Sequence, residues 1–263
     1  ADHRRLPSAS PARIDVAMPV HRVSMMAMRR RHGALGNRSV SRMCAGVFGW
    51  MLAGAVSADG ASAHAAQTLR VMSFNVRVPV ASDGPNRWEA RRDLFARTIR
   101  ERHPDLLGMQ ELHQTQGDDI IARLPEYAWF GLDRRGGHAD EHMGIFYRTA
   151  RLRVLDSGNF WLSDTPDVPG SISWGHPYPR MVTWALFEDR PSGRRFYAFN
   201  THLPYREQDE AARVKGAREI LARLAALPAG VPIVLTGDFN TGPDSPTYAL
   251  LAHALADARV IAA

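Results

Sequence analysis

The stretch VPIVLTGDFN, residues 231–240, runs from an apolar, β-branched segment directly into a carboxylate and an amide. A short apolar run of this kind, bounded by Pro and Gly, reads as a strand. Side chains alternate along a strand, so Asp238 and Asn240 share one side of its end while Phe239 turns to the other. A carboxylate at the end of so apolar a run costs free energy unless a cation or hydrogen-bond donors satisfy it. An Asx-turn that ends the strand is the alternative for GDFN, but even taken alone this segment favours a site.

Three other segments finish in the same manner. LRVMSFNV (69–76) ends at Asn75, DLLGMQE (105–111) at Gln110 and Glu111, and FYAFNTHL (196–203) at Asn200 and His202. Each alone is explained by a solvated turn or a surface histidine. Four apolar strands that all end in carboxylate, amide or imidazole groups instead describe a site suited to phosphate and a hard cation. Around these strands, residues 87–103 read as an amphipathic helix with Leu94, Phe95, Thr98 and Ile99 on its apolar side, stopped by His103-Pro104. Residues 207–227 read as the longest helix and 248–255 as a short closing one. The middle of the chain is rich in aromatic and β-branched residues, and YAWFGL, MGIFYR, LRVLDSGNFWL and MVTWALFED predict antiparallel strands. Strands in runs with a few helices outside predict a layered α/β or α+β sandwich, with residues 66–263 as one domain.

The 263 residues are 45% apolar and 23% charged, which excludes a wholly disordered, collagen-like or multi-span membrane protein. The net charge of +6 belongs to the amino-terminal part. Residues 1–65 hold nine Arg against three Asp, whereas residues 66–263 hold 24 basic and 24 acidic side chains. The basic excess therefore says nothing of a nucleic-acid groove. Arg29, Arg30, Arg31, Arg38 and Arg42 precede an apolar run, Met43 to Val56, and the small residues ASAHA follow at 61–65. That order reads as a secretory signal peptide cut after Ala65, hence an exported, periplasmic or secreted, domain. The run is short of the roughly 20 residues that span a bilayer, so no stable membrane anchor is expected. Residues 1–17 precede the first Met and read as an unstructured extension. Cys44, the single cysteine, lies within the signal, so any metal must be held by oxygen or imidazole.

In sequence order, MSFNVR, MQE, PRMVTWA, FNTHL and LTGDFN resemble the endonuclease/exonuclease/phosphatase superfamily over about residues 69–257. GIFYRTARLRVLDSGNFWLSDTPDVPGS is similar to its bacterial branch of metal-dependent hydrolases. The resemblance implies an α/β fold, a four-layered sandwich of two mixed β-sheets flanked by helices. It also implies cleavage of phosphodiester or phosphomonoester bonds with Mg²⁺ or Mn²⁺. By the same resemblance Glu111 is the principal metal ligand, and Asn75 lies at both metal and phosphate. Arg180 assists the phosphate site, His202 donates to a phosphate oxygen, Asp238 orients or deprotonates the attacking water, and Asn240 contacts the phosphate or transition state. Glu141, His142 and Tyr147 are placed around them as supporting residues. Mg²⁺ keeps several waters, so one or two carboxylates are enough protein ligation, and His, Asn and Arg then supply donors to the remaining oxygens.

The superfamily pattern continues past the GDFN strand to a further Asp-bearing strand and a Ser-Asp-His motif, which residues 241–263 do not contain. The expectation is a domain lacking its C-terminal strands, with little or no turnover as it stands. The function expected of the intact unit is that of an exported, monomeric, metal-dependent phosphoesterase acting on a small phosphorylated molecule, a lipid headgroup or a nucleic acid. The alternative is a catalytically incomplete binding module on the same fold. Neutral charge over 66–263 argues against tight polyanion binding, and Arg134, Arg135, Arg148, Arg151 and Arg153 read as a solvated rim. Phe160-Trp161-Leu162 is the one candidate for an apolar loop that touches a membrane, and strand packing explains it equally well.

Overall fold

A computed structural model of the protein describes residues 13–16 and 68–261. The signal segment and its cleavage point lie outside the described residues. The elements in chain order are β1 (Arg13–Val16), β2 (Leu69–Asn75), α1 (Trp88–Arg102), β3 (Leu106–Gln110), α2 (Gln114–Arg123), β4 (Tyr127–Phe130), β5 (Ile145–Arg148), β6 (Leu152–Trp161) and β7 (Met181–Asp189). They continue with β8 (Arg194–His202), α3 (Glu210–Ala225), β9 (Ile233–Asp238), α4 (Pro246–Ala254) and α5 (Ala258–Ile261). The strands form two mixed sheets, ordered β1-β2-β3-β5-β4 and β6-β7-β8-β9. Among the described residues only β2/β3 and β8/β9 run parallel.

Four layers follow from where the apolar side chains go. Val71, Leu106 and Ile145 of the first sheet pack against Leu152, Phe187, Ala198 and Val234 of the second, so the sheets lie face to face. The outer face of the first sheet, with Met72, Leu107, Met109 and Phe146, is covered by Phe95, Ile99 and Ile120 of α1 and α2. Phe160, Val182, Phe199 and Ile233 on the outer face of the second are covered by Ile220 and Leu224 of α3. β3 is central and covered on both sides, which is why all of LLGMQ is buried. The α/β sandwich expected from the sequence is thus the fold.

Several local expectations are corrected. α1 turns Trp88, Phe95, Ala96 and Ile99 inward while Leu94 is 55% exposed, so its buried stripe is rotated from the one read off the sequence. α2 was not expected, because Gly117 and Asp118-Asp119 mask the spacing of Ile120, Ile121 and Leu124. Gly117 lets the helix lie under the Trp129 ring, which an added Cβ would meet at 2.4 Å. Phe160, Trp161 and Leu162 are buried and are no membrane-touching loop. Residues 13–16 fall within the extension expected to lack structure, yet they pair antiparallel with β2 from Arg13↔Met72 to Val16↔Leu69. No helix among the described residues is long and apolar enough to cross a membrane.

The parallel pairs position the site. In β2/β3 the register brings Asn75 beside Gln110, with Glu111 next in the chain, and in β8/β9 it brings His202 beside Asp238.

Candidate active site

The two sheets meet at the Asn75 amide. Its Nδ2 donates to Glu111 Oε1 at 2.8 Å and to Asp238 Oδ2 at 3.0 Å, so one side chain of β2 holds a carboxylate from each sheet. Glu111 Oε2 accepts the Val78 N–H at 3.1 Å, and Asp238 Oδ1 accepts the Asn240 N–H at 3.1 Å. Glu111 sits at φ 57° and Asn240 at φ 49°. The left-handed backbone is costly for a Glu, and such strain is kept where the surroundings hold a side chain in one working direction. Asn240 Nδ2 donates to the Leu203 carbonyl at 2.9 Å and ties the end of β9 to the end of β8.

Asn75 Oδ1 accepts the Arg77 N–H at 2.9 Å, so the nitrogen and not the oxygen of the amide faces the carboxylates. The opposite orientation would set Oδ1 against two carboxylates and an N–H against an N–H. Asn75 Nδ2 thus clamps Glu111 to Asp238.

Arg180 and His202 are 3% and 4% exposed. Among the described residues, Arg180 Nη1 and His202 Nδ1 are buried with no hydrogen-bond partner, an arrangement that folding tolerates poorly without a ligand or water to satisfy it. His202 Nε2 lies 3.9 Å from Asp238 Oδ2. Burial, with Arg180 and then Arg134 beside it, holds His202 well below the ordinary histidine value, so the ring is neutral. Burial also pushes the Arg180 value down, opposed by Glu141.

The Glu141 carboxyl is raised by burial against the pull of Arg134 and Arg180. Arg134 was read as part of a solvated rim, but it is buried, with Nε 2.9 Å from Asp140 Oδ1 and Nη1 2.9 Å from Glu141 Oε1. Asp133 builds the loop that puts it there, with its carboxylate accepting the N–H groups of Arg135, Gly137, Ala139 and Asp140 at 2.6–2.9 Å. The sequence signal was available in Asp133, the Gly136-Gly137 turn and the acidic pair Asp140-Glu141. Arg135, Arg148, Arg151 and Arg153 are likewise paired, with Asp140, Asp105, Asp189 and Glu188. Tyr147 is not a supporting residue. It stands opposite Leu106, at the far end of β3 from Glu111, and packs against Phe130 and Phe187.

Among the described residues no three His, Cys, Asp or Glu side chains gather as a ligand set. The oxygens of Glu111 and Asp238 nevertheless suit a hard cation that retains most of its waters. His142, His176 and His202 are all buried and all held below 6.5, desolvation being the first cause in each case. For a group lowered by folding the unfolded chain binds the proton first, so stability is full above 6.5 and is lost as the pH falls through the folded values. Glu141, raised from 4.5, acts in the opposite sense, contributing below 4.5 and losing that contribution as the pH rises. The three histidines outweigh the one carboxyl, so Tm measured calorimetrically should fall between about pH 7.5 and about pH 5.5. An unchanged or higher Tm at the lower pH would show that these rings are not buried neutral.

Residues 72–259 match the model of the Endonuclease/Exonuclease/phosphatase family. A solved endonuclease/exonuclease/phosphatase from Bacteroides vulgatus is 37% identical, with 69% of each chain covered and a TM-score of 0.66. A mannosyl-6-phosphatase from Bacteroides thetaiotaomicron is 32% identical, with 70% of each chain covered and a TM-score of 0.67. An uncharacterised protein of Acanthamoeba polyphaga mimivirus is 29% identical over 163 residues, 59% of this chain. The chain spans 60% of the length of that viral relative.

Proposed function

The chain belongs to the endonuclease/exonuclease/phosphatase family of hydrolases, and from that membership we propose that it is a divalent-metal-dependent phosphoesterase acting on a small phosphorylated molecule. The observation that carries this reading is the Asn75 clamp, which joins Glu111 and Asp238 across two sheets next to the unpartnered Arg180 Nη1 and His202 Nδ1. Two carboxylates beside two buried nitrogen donors suit water attack on a phosphoryl group.

Glu111 would hold Mg²⁺ or Mn²⁺, which when bound supplies charge to a phosphoryl oxygen and to the developing transition state. Asp238 orients the attacking water and takes its proton. Its Oδ1 and Oδ2 are fixed by Asn240 and Asn75, so the carboxylate keeps one direction. Arg180 Nη1 donates to a non-bridging phosphate oxygen, and the neutral His202 adds a second donor. Asn240 keeps one amide N–H beyond the bond to Leu203 to donate to a phosphate oxygen. Glu141 neutralises the facing Arg134 and Arg180, so the site does not carry two uncompensated cations.

A small substrate is favoured over a polyanion. Each Arg of the cluster between residues 134 and 153 already has a carboxylate partner, and polyanion affinity rests on cations free to meet phosphates. The Bacteroides mannosyl-6-phosphatase, at 32% identity, points the same way, to a sugar phosphate. Export and a monomeric state belong to the same reading.

The test is hydrolysis of a sugar-phosphate, phosphodiester, single-stranded nucleic-acid and phospholipid panel with Mg²⁺ or Mn²⁺. In the intact unit, sugar-phosphate cleavage abolished by EDTA and restored by the ion is expected. A preference for nucleic acid that declines steeply with salt would overturn the substrate class. Inorganic phosphate binding with silence across the panel would select the binding module instead.

A further inference from the structure

One pleat behind the site lies a second row of polar side chains, and each belongs to a strand that ends in a site residue. Ser73 precedes Asn75 by two residues, Gln110 precedes Glu111 by one, Asn200 precedes His202 by two and Thr236 precedes Asp238 by two. Gln110, Asn200 and Thr236 are 1%, 0% and 6% exposed. The sequence reading placed Gln110 and Asn200 among the strand-end groups of the site, but both are sealed between the sheets.

These four side chains form one hydrogen-bonded lattice across the sandwich. Gln110 Nε2 donates to Asn200 Oδ1 at 2.7 Å and lies 3.3 Å from Ser73 Oγ. The single Thr236 Oγ1 proton is within reach of the Phe199 carbonyl at 3.0 Å and of Asn200 Oδ1 at 3.2 Å. Asn200 Nδ2 donates across the sandwich to the carbonyls of Met109 and Gly144 at 2.8 and 3.0 Å. Ser73 Oγ accepts the Gly237 N–H at 3.2 Å, one residue before Asp238. The parallel registers set Ser73 beside Gly108 and Asn200 beside Thr236, in step with the site pairs one pleat further on.

Two sheets packed by apolar contact alone can slide by fractions of an ångström, because such contact is non-directional. A fully satisfied buried polar network is directional and holds one arrangement. Resting on the phosphoesterase reading above, we propose that Asn200 is a positioning residue: through Gln110, Thr236 and the Met109 and Gly144 carbonyls it fixes the offset of the sheets, and so holds Glu111 and Asp238 at the single spacing that Asn75 bridges. The site is shared between sheets, so a shift there misplaces one carboxylate relative to the other.

The test compares Asn200→Ala and the gentler Thr236→Val with Ile220→Val, a core change under α3 remote from the lattice. Asn200→Ala should lower kcat by about 10²-fold with KM little changed, and Thr236→Val by about tenfold. Ile220→Val should lower Tm and leave kcat alone. A crystal structure of Thr236→Val, or of Asn200→Ala where it folds, should show at least one of the Asn75–Glu111 and Asn75–Asp238 bonds broken. Folded variants that keep both bonds, or that lose kcat only as Ile220→Val does at equal Tm, overturn the proposal. If the wild-type protein hydrolyses nothing in the panel, the phosphoesterase reading fails, and the crystal structures alone decide whether Asn200 sets the sheet offset.

Discussion

Glu111→Gln is expected to lower metal-dependent hydrolysis by about 10³-fold or more, with the fold retained. The change preserves size and removes one negative charge. Both oxygens are already used, Oε1 by the Asn75 amide and Oε2 by the Val78 N–H. Gln has one oxygen, so its new NH₂ must face one of two donors, and the side chain loses either its clamp or its backbone anchor. A hard cation also loses the charged ligand that it prefers over an amide. The backbone adds a further demand, since φ 57° at Glu111 is strain that the two bonds hold in place. The measurement is kcat at saturating Mg²⁺ or Mn²⁺, with Tm alongside. Near wild-type turnover in a folded Glu111→Gln protein would falsify the assignment of the metal to this residue.

The legible part of this site was its strand ends. Apolar runs that stop at Asn75, Glu111, His202 and Asp238 are visible because a strand side chain one step beyond a buried run has few places to go. What the chain could not reveal is which end of an amide points where. Asn75 was expected at the metal and phosphate, and its amide nitrogen bonds two carboxylates that come from residues 36 and 163 positions away. Arg134 was misread for the opposite reason. Five arginines between residues 134 and 153 look like solvent-facing charge, and only the Asp133 loop turns Arg134 inward. Tyr147 looked close to the site in sequence, and the antiparallel register with β3 carries it to the other end. Periodicity located α1 but not its face, because Leu94 and Ala96 flank Phe95 and only packing decides which of them is buried. The layered fold was legible in the alternation of strand runs and helices, whereas α2 was hidden by a glycine whose purpose is the close approach of Trp129.

Gly108→Ala is expected to destabilise the protein by about 3–5 kcal/mol, a large share of the stability of an ordinary domain. On local grounds the change should be favourable, since Gly inside a strand adds chain entropy to the unfolded state and packs nothing. Its backbone is not in the left-handed region, so no conformational need explains it. The need is space. An added Cβ would lie 2.0 Å from Thr236 Oγ1 and 2.5 Å from Asn200 Oδ1. Neither is the end of a flexible side chain. Thr236 is held by the Phe199 carbonyl and Asn200 by four bonds to both sheets, so the methyl can be admitted only by breaking this lattice or by parting the sheets. Overpacking and the stranded buried polar groups then add. Gly242→Ala, where nothing lies within 4 Å of the added carbon, is the control and should change stability by less than about 0.5 kcal/mol. Urea unfolding compares the two. A Gly108→Ala midpoint equal to that of Gly242→Ala would mean that the sheets stand further apart than the lattice requires, and the spacing of Glu111 and Asp238 would then need another cause.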